Sequence, residues 1–384
     1  MTANSGSPPA DVLIVGGGPA GAAAAVLLAR QGRKVTIIEK SAAAHDKVCG
    51  EFLSHEALQY LEHLGLDLGV LGAAPIERLR LAADRLIATC RLPFPAMSLT
   101  RRTLDEALLQ QAARAGATVM RECRVDTLER SGDIWQAHLN NGAIHTGRSA
   151  FLATGKHDLG SHPRPQGRQN DLVAFKMFYR LAPAQQAALV RYVELIVFPG
   201  GYAGLQLVED GSANLCLLVR RDRLRACGGH WDGLLAHMLR SSRFLADRLQ
   251  GADPLLEKPL AASSIPYGML QRRSLDGLWR VGDQAAVIPS FSGDGISIAL
   301  HSAHLAAEML QSGYEADAYQ MRLTGELRRS VKMATMISRT VVASPHLVQL
   351  ARLYPPLLRP IANGTRVPAH LLLNRVNLFN RVNQ

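Results

Sequence analysis

Cysteine is scarce: five residues in 384, with no CxxC pair and no spacing suited to zinc. An odd set, Cys49, Cys90, Cys123, Cys216 and Cys227, argues for reduced thiols rather than a disulfide framework. No apolar run reaches the roughly 18 residues that a spanning helix needs. The polar stretch Met1–Pro9 lacks the apolar core of a signal peptide and reads as a short disordered tail. A soluble, cytoplasmic protein is expected. There is no Gly-x-Ser-x-Gly elbow, so a serine hydrolase of that type has no support. His301 and His304 stand at helical spacing without an evident third ligand, so no metal is expected. The formal charge is +11, yet no lysine/arginine block with interleaved aromatics occurs, and nucleic acid is not an expected partner. A basic solvated surface is the plainest reading of that charge.

What is present is globular composition, 47% hydrophobic and 20% charged, enough for a large core or two adjoining ones. The first clear pattern is the apolar run Asp11–Val15, which flows into Gly16-Gly17-Gly18-Pro19-Ala20-Gly21 and an alanine-rich helix ending near Gln31. Lys34–Ile38 then reads as a second strand, closed by Glu39. The whole predicts a βαβ unit. Gly16 permits the tight turn out of the strand, Gly18 lets backbone approach a pyrophosphate, and Gly21 lets helix and strand pack closely. A helix N-terminus opening at Pro19 and Ala20 offers free N–H groups and partial positive charge to phosphates. Glu39 stands where a carboxylate accepts hydrogen bonds from ribose hydroxyls. No second Gly-x-Gly-x-x-Gly exists, so no separate nicotinamide domain of the same kind is expected.

Late in the chain, the strand Leu278–Val281 runs into Gly282-Asp283, and Pro289 precedes Ser292-Gly293-Asp294-Gly295 and a helix from about Ile296 to Leu310. The pairing of these two motifs resembles the flavoprotein superfamily of aromatic hydroxylases (group A monooxygenases), flavin-dependent halogenases and geranylgeranyl reductases. That resemblance implies FAD as cofactor, with Asp283 on the ribityl chain and Pro289 against the flavin ring. It also implies that Gly293 and Gly295 let backbone run beside the ring. The helix beginning at Ile296 would point its N-terminus at the N1–C2 edge, where reduced flavin carries negative charge.

Between the motifs, Lys47-Val48-Cys49-Gly50-Glu51 is similar to the Cys-Gly-Asp/Glu stretch of geranylgeranyl reductases, which makes Cys49 the candidate catalytic residue. Arg101-Arg102-Thr103-Leu104-Asp105 opens an amphipathic helix like one in the same family, where Arg101 would reach FAD and Asp105 is structural. Lys40 and Lys47 join the candidate cofactor contacts. Thr118–Val125, Ile134–Leu139 and Ala150–Thr154 read as strands of a small meander.

The chain departs from the family at three places. After the returning strand it has Thr154-Gly155-Lys156-His157-Asp158 where many relatives have Asp-Gly. Thr154 and Gly155 still suit a turn at the pyrophosphate, but the carboxylate is displaced, which leaves NAD(P)H or a separate electron donor open as reductant. The halogenase Trp-x-Trp-x-Ile-Pro is missing. Of the reductase Tyr-x-Trp-x-Phe-Pro only Phe198-Pro199 is kept.

Residues 156 to 268 alternate apolar and polar between glycines and prolines, which predicts an antiparallel sheet roofing the flavin. Phe175, Phe178, Phe198 and Tyr202 are candidates to line a substrate pocket in it. Basic, apolar segments at Arg352–Arg359 and Leu371–Arg381 suit either packing or membrane contact. The expected fold is α/β: a Rossmann-type, glutathione-reductase-like FAD-binding domain with an interleaved antiparallel-sheet substrate domain and a helical C-terminal region. By residue, 10–75, 98–155 and 270–312 form the first, 76–97 and 156–269 the second, and 313–384 the third. The first functional reading is an FAD-dependent monooxygenase (hydroxylase) of an aromatic or apolar specialised metabolite. The alternative is a geranylgeranyl-reductase-like reductase of a carbon–carbon bond, and the third is an electron-transfer flavoprotein. A small, aromatic or lipid-like molecule is the expected partner in the first two.

Overall fold

The computed structural model describes residues 9–343, 366–368 and 371–373. The expected N-terminal tail, and the C-terminal segments considered for membrane contact, fall almost wholly outside these residues.

The chain opens with β1 (Ala10–Val15), α1 (Pro19–Arg30) and β2 (Val35–Ile38). β1 is a continuous apolar run because it becomes the interior of a sheet covered on both faces. α1 is buried from Pro19 to Leu28, and its alanines allow close packing against helices on either side. The chain then leaves this sheet for β3 (Phe52–Leu53), α2 (His55–His63) and the long hairpin β4 (Ala74–Ala83) and β5 (Leu86–Ser98). It returns through α3 (Arg101–Arg114), whose first turn is capped by the Thr100 side chain on the Thr103 N–H. β6 (Thr118–Met120) and the meander β7 (Val125–Ser131), β8 (Ile134–Leu139) and β9 (Ile144–Leu152) follow. β1 pairs in parallel with both β2 and β9, giving the order β6-β2-β1-β9-β8-β7.

The second sheet gains β10 (Leu172–Arg180), then α4 (Pro183–Leu189), β11 (Tyr192–Phe198), β12 (Gly201–Leu207) and β13 (Ala213–Arg220). Three short helices, α5 (Arg221–Ala226), α6 (Trp231–Ser241) and α7 (Arg243–Arg248), cover one face. β14 (Asp253–Pro254) and β15 (Leu260–Ala262) add to β10. The order is β14-β10-β13-β12-β11-β4-β5-β3. This sheet was expected to be antiparallel, and it is except where β11 lies parallel to β4. The reason is connectivity: β4 belongs to an earlier excursion, so no hairpin constrains its direction against β11.

β16 (Met269–Leu270) leads to β17 (Trp279–Arg280), which joins the first sheet on β9, and β18 (Ala286–Val287) pairs back with β16. α8 (Gly295–Gln311) and α9 (Ala316–Ala343) complete the described chain. Among the described residues no helix is long and apolar enough to cross a membrane. The mixed α/β architecture with a helical C-terminal part agrees with the fold class read from sequence.

A cleft between the two sheets

The turn after β1 is shaped by contacts that exclude side chains. Gly16 has φ +108°, and a Cβ there would sit 2.5 Å from the Ala153 carbonyl oxygen. At Gly21 a Cβ would meet the Gly16 oxygen at 1.9 Å, so helix and turn touch as backbone on backbone. The first bond within α1 is Ala22 N–H to the Gly18 carbonyl, which leaves the amides of Ala20 and Gly21 outside the helical ladder. The Gly17 N–H donates to Glu39 Oε2 at 2.7 Å, and the Ser41 N–H donates to Oε1 at 2.9 Å. Burial alone would raise the Glu39 carboxyl, but the Gly17 amide, the Lys47 charge and the Ser41 groups outweigh it and hold it below its ordinary value.

Beside Gly18 lies Arg101, whose guanidinium grips Asp105 through two bonds of 2.7 and 2.8 Å. Lys47 Nζ bonds the same carboxylate at 2.8 Å. Burial raises Asp105, yet the two cations dominate and lower it. Two positive charges thus share one negative, and the surplus stays at the Gly18 end of the cleft. Burial, followed by Lys40, Arg164, Lys47 and Lys156, likewise depresses the His157 imidazole. Asp158, the displaced carboxylate, lies on the cleft wall in an ion pair with Arg164.

The opposite end is built late in the chain. The Gly282 N–H donates to Ser302 Oγ at 2.8 Å, and Gln284 Nε2 bonds the Gly155 and His157 carbonyls. Gly293 takes φ +74°, and a Cβ there would press on the Phe52 ring at 2.7 Å. Gly295, at the start of α8, faces open space. The first bond of α8 runs from Ile298 N–H to the Asp294 carbonyl, so a second helix N-terminus opens here.

These parts enclose a cavity of about 550 Å³. Its wall includes Gly16, Gly18, Pro19, Ala20, Glu39, Lys40, Lys47, Cys49, Arg101, Thr154, Gly155, Asp283, Gly293, Gly295 and Ile296. Two candidates stand behind it. Gly21 serves packing, as its Cβ contact explains. Pro289 is buried behind the wall, where its carbonyl accepts from Ser292 Oγ, while its neighbours Ile288 and Ser290 line the space.

The aromatic candidates are not on the wall. Phe175 and Phe198 point to the other face of their strands, into the core under α6 and α7. Phe178 packs beneath the Lys176 ammonium, and the Tyr202 hydroxyl accepts from the Phe291 N–H. The apolar wall comes instead from Leu260, Ala261, Ala262, Ile265 and Tyr267, with Val48 beside Cys49. No sequence signal marked that segment, because it follows a loop and its strands are two or three residues long.

One buried pair was missed. Glu51 and Lys176 are both fully buried and form an ion pair, and Lys176 Nζ also donates to the Lys47 carbonyl at 3.2 Å. The signal was there: Lys176 is the one charged residue inside the apolar strand LVAFKMFY. Glu51 adopts φ +60°, a left-handed conformation that costs a non-glycine residue about 1–3 kcal/mol.

Two helix N-termini, a ribose-type carboxylate at Glu39 and glycine-shaped backbone surfaces between them make a donor and acceptor set that fits a dinucleotide. The comparisons agree. Residues 9–153 match the family described as FAD binding domain. The protein binds FAD and is an FAD-dependent oxidoreductase. The flavoprotein is 28% identical over 325 residues to a menaquinone reductase of Mycolicibacterium smegmatis, covering 80% of this chain and 78% of that protein. It is 25% identical over 348 residues to digeranylgeranylglycerophospholipid reductase 2 of Methanopyrus kandleri, covering 86% of each. Among solved structures, a flavin-dependent brominase superposes with TM-score 0.75 at 18% identity, over 98% of this chain and 100% of that one.

Proposed function

We propose that this flavoprotein is a reductase that saturates a carbon–carbon double bond in an apolar, prenyl-type substrate. The observation that carries the reading is the position of Cys49-Gly50-Glu51. This stretch, similar to that of geranylgeranyl reductases, lies on the cavity wall together with the apolar side chains of Leu260, Ile265 and Tyr267. The names of the two sequence relatives favour a reductase of isoprenoid lipids or quinones over the monooxygenase that came first from the sequence.

In this reading the N–H groups at the start of α1, with Arg101, Lys40 and Lys47 nearby, hold the pyrophosphate. Thr154 and Gly155 form the adjoining turn, and Glu39 takes the ribose. Asp283 would hold the ribityl chain, and Gly293, Gly295 and Ile296 would hold the flavin end beside the N-terminus of α8. Bound FAD supplies two-electron, hydride-type chemistry. The chain's own residues keep the substrate end dry: Val48, Ile265 and Tyr267 offer no charge there. Cys49 presents its thiol at the same wall. The second sheet, with β4 and β5, is the substrate domain, and the reductant is NAD(P)H or a separate donor protein.

The test is product mass after anaerobic turnover. The FAD-loaded protein, reduced with dithionite or NADPH, is mixed with a geranylgeranyl lipid. Gain of hydrogen atoms in pairs supports the proposal. Addition of one oxygen atom, seen only in air, replaces it with the monooxygenase, and no product with reoxidation by a partner protein favours electron transfer.

A further inference from the structure

The cavity wall holds an acid that the reading above does not use. Glu51 is fully buried, and its oxygens are not equivalent. Oε1 accepts from Lys176 Nζ and from the Arg101 N–H, the latter at 2.9 Å. Oε2 has no partner among the described residues. Two donors on Oε1 leave that oxygen a poor place for a hydrogen, so a proton on this carboxyl resides on Oε2. Burying such a group without a partner is costly unless something else meets it. Here the residue borders a cavity, between Cys49 and Phe52.

We propose that Glu51 is the proton donor of this cavity, with Oε2 the atom that gives the proton up and Lys176 the residue that fixes which oxygen carries it. The proposal rests on the reductase reading. Saturating a double bond requires a hydride at one carbon and a proton at the other. As the π bond is lost, two C–H bonds form: the hydride is the one the reductase activity delivers, and the proton comes from the Glu51 O–H. That O–H bond breaks to leave a carboxylate, which the Lys176 ammonium already faces. Solvent then returns the proton. Cys49 thereby becomes a wall residue beside the acid rather than the acid itself.

The electrostatics agree. Burial pushes the Glu51 carboxyl up to about 7, against the pull of Lys176 and the Arg101 amide. The charged or titratable groups around it are Lys176 from β10, Asp46, Lys47 and Cys49 from its own loop, and Cys216 from β13. Lys156 from the loop after β9 acts on Cys216, and Arg101 of α3 meets Glu51 through the backbone N–H with its guanidinium turned to Asp105. Of these Cys216 is itself pushed up to about 12 by burial, so it does not titrate alongside.

Two readouts on FAD-loaded protein test the proposal. The first is an infrared titration, which needs no substrate. Protonated-carboxyl carbonyl absorption should disappear as pH rises through neutrality and be weaker in Glu51→Gln, what remains belonging to Asp294, whose carboxyl burial also pushes up to about 7. The second is single-turnover reduction of geranylgeraniol across pH. The wild-type rate should fall on the alkaline side as the acid ionises. Glu51→Gln should be on the order of 100-fold slower and lose that limb, while Glu51→Asp, an acid whose side chain tolerates left-handed backbone, should recover both. Lys176→Met removes a charge that favours the carboxylate, so its limb should move to higher pH. An unchanged band, or an unchanged rate and limb, in Glu51→Gln overturns the proposal. If wild type does not saturate the lipid, the reductase reading fails by itself, and the infrared band alone decides whether Glu51 holds the proton. If Glu51→Gln does not fold, a weaker band and a lost limb in Glu51→Asp count against the proposal.

Discussion

Gly17 and Glu39 are 22 residues apart, and a 2.7 Å bond from the Gly17 amide to the Glu39 carboxylate ties the turn after β1 to the end of β2. The carboxylate therefore shapes the turn, and in the proposed reading it also takes the ribose. Glu39→Ala should lose a charge-assisted bond worth about 1.5–3 kcal/mol, which corresponds to roughly 10- to 100-fold weaker FAD binding. Quenching of flavin fluorescence on titrating apoprotein measures it, and unchanged affinity would remove Glu39 from the site.

Two glycines should separate packing from binding. Gly21→Ala forces a methyl to within 1.9 Å of a backbone oxygen, so it should cost at least about 1–3 kcal/mol of stability. Gly295→Ala has open space for its methyl on the cavity side and should leave the urea midpoint unchanged while shifting the flavin spectrum. Equal loss of stability in both would contradict this division.

The Asp105 carboxyl is held below the ordinary carboxylate value of 3.8 despite burial, by Arg101 and then Lys47. A lowered acid contributes stability that is fully present above its unfolded value and fades as pH falls through its folded one. Asp105→Asn should therefore cost about 3–5 kcal/mol at neutral pH, where it strands a buried guanidinium. The gap from wild type should close in strong acid. Urea unfolding at a series of pH values follows it, and a gap independent of pH would count against the ion pair.

Chain length of the substrate should be sensed at Ala262, on the apolar wall. Ala262→Phe fills part of the cavity; FAD content should hold while turnover of a long prenyl lipid falls about tenfold. A short prenyl alcohol should be less affected. Equal slowing of both would argue that the lipid lies elsewhere.

Cys49, on the same wall, should be alkylated by iodoacetamide in the FAD-loaded enzyme and protected by saturating lipid. Cys49→Ser should slow reduction by less than tenfold. Abolished turnover in that variant would return the thiol to the centre of the chemistry.

The two glycine motifs were legible because each demand is local: a turn that no Cβ fits at Gly16, and a helix that must start where Gly295 stands. The Glu51–Lys176 pair was not, since its members are 125 residues apart and only the fold brings β10 beneath the Cys49 loop. Phe175 and Phe198 are candidates either for a pocket wall or for plain core packing, because aromatic content says nothing about which face of a strand is inside. Alternation sent them under α6 and α7, and a wall of Ile265 and Tyr267 took their place. The parallel β4–β11 pair escaped for a similar reason, because direction across an excursion is not encoded by neighbouring residues.

The order in which the cleft is assembled has a consequence for synthesis. β1 cannot take its full place until β9 emerges, and β17 and α8 arrive only near residue 311. At ribosomal rates on the order of 5–20 residues per second, the nascent chain spends about 2–10 seconds with its apolar second sheet made and its cofactor cleft open. The cavity wall is thus incomplete until α8 has been made. The seam between the two sheets is the last part of the fold that can close, because it needs both the turn after β1 and the start of α8.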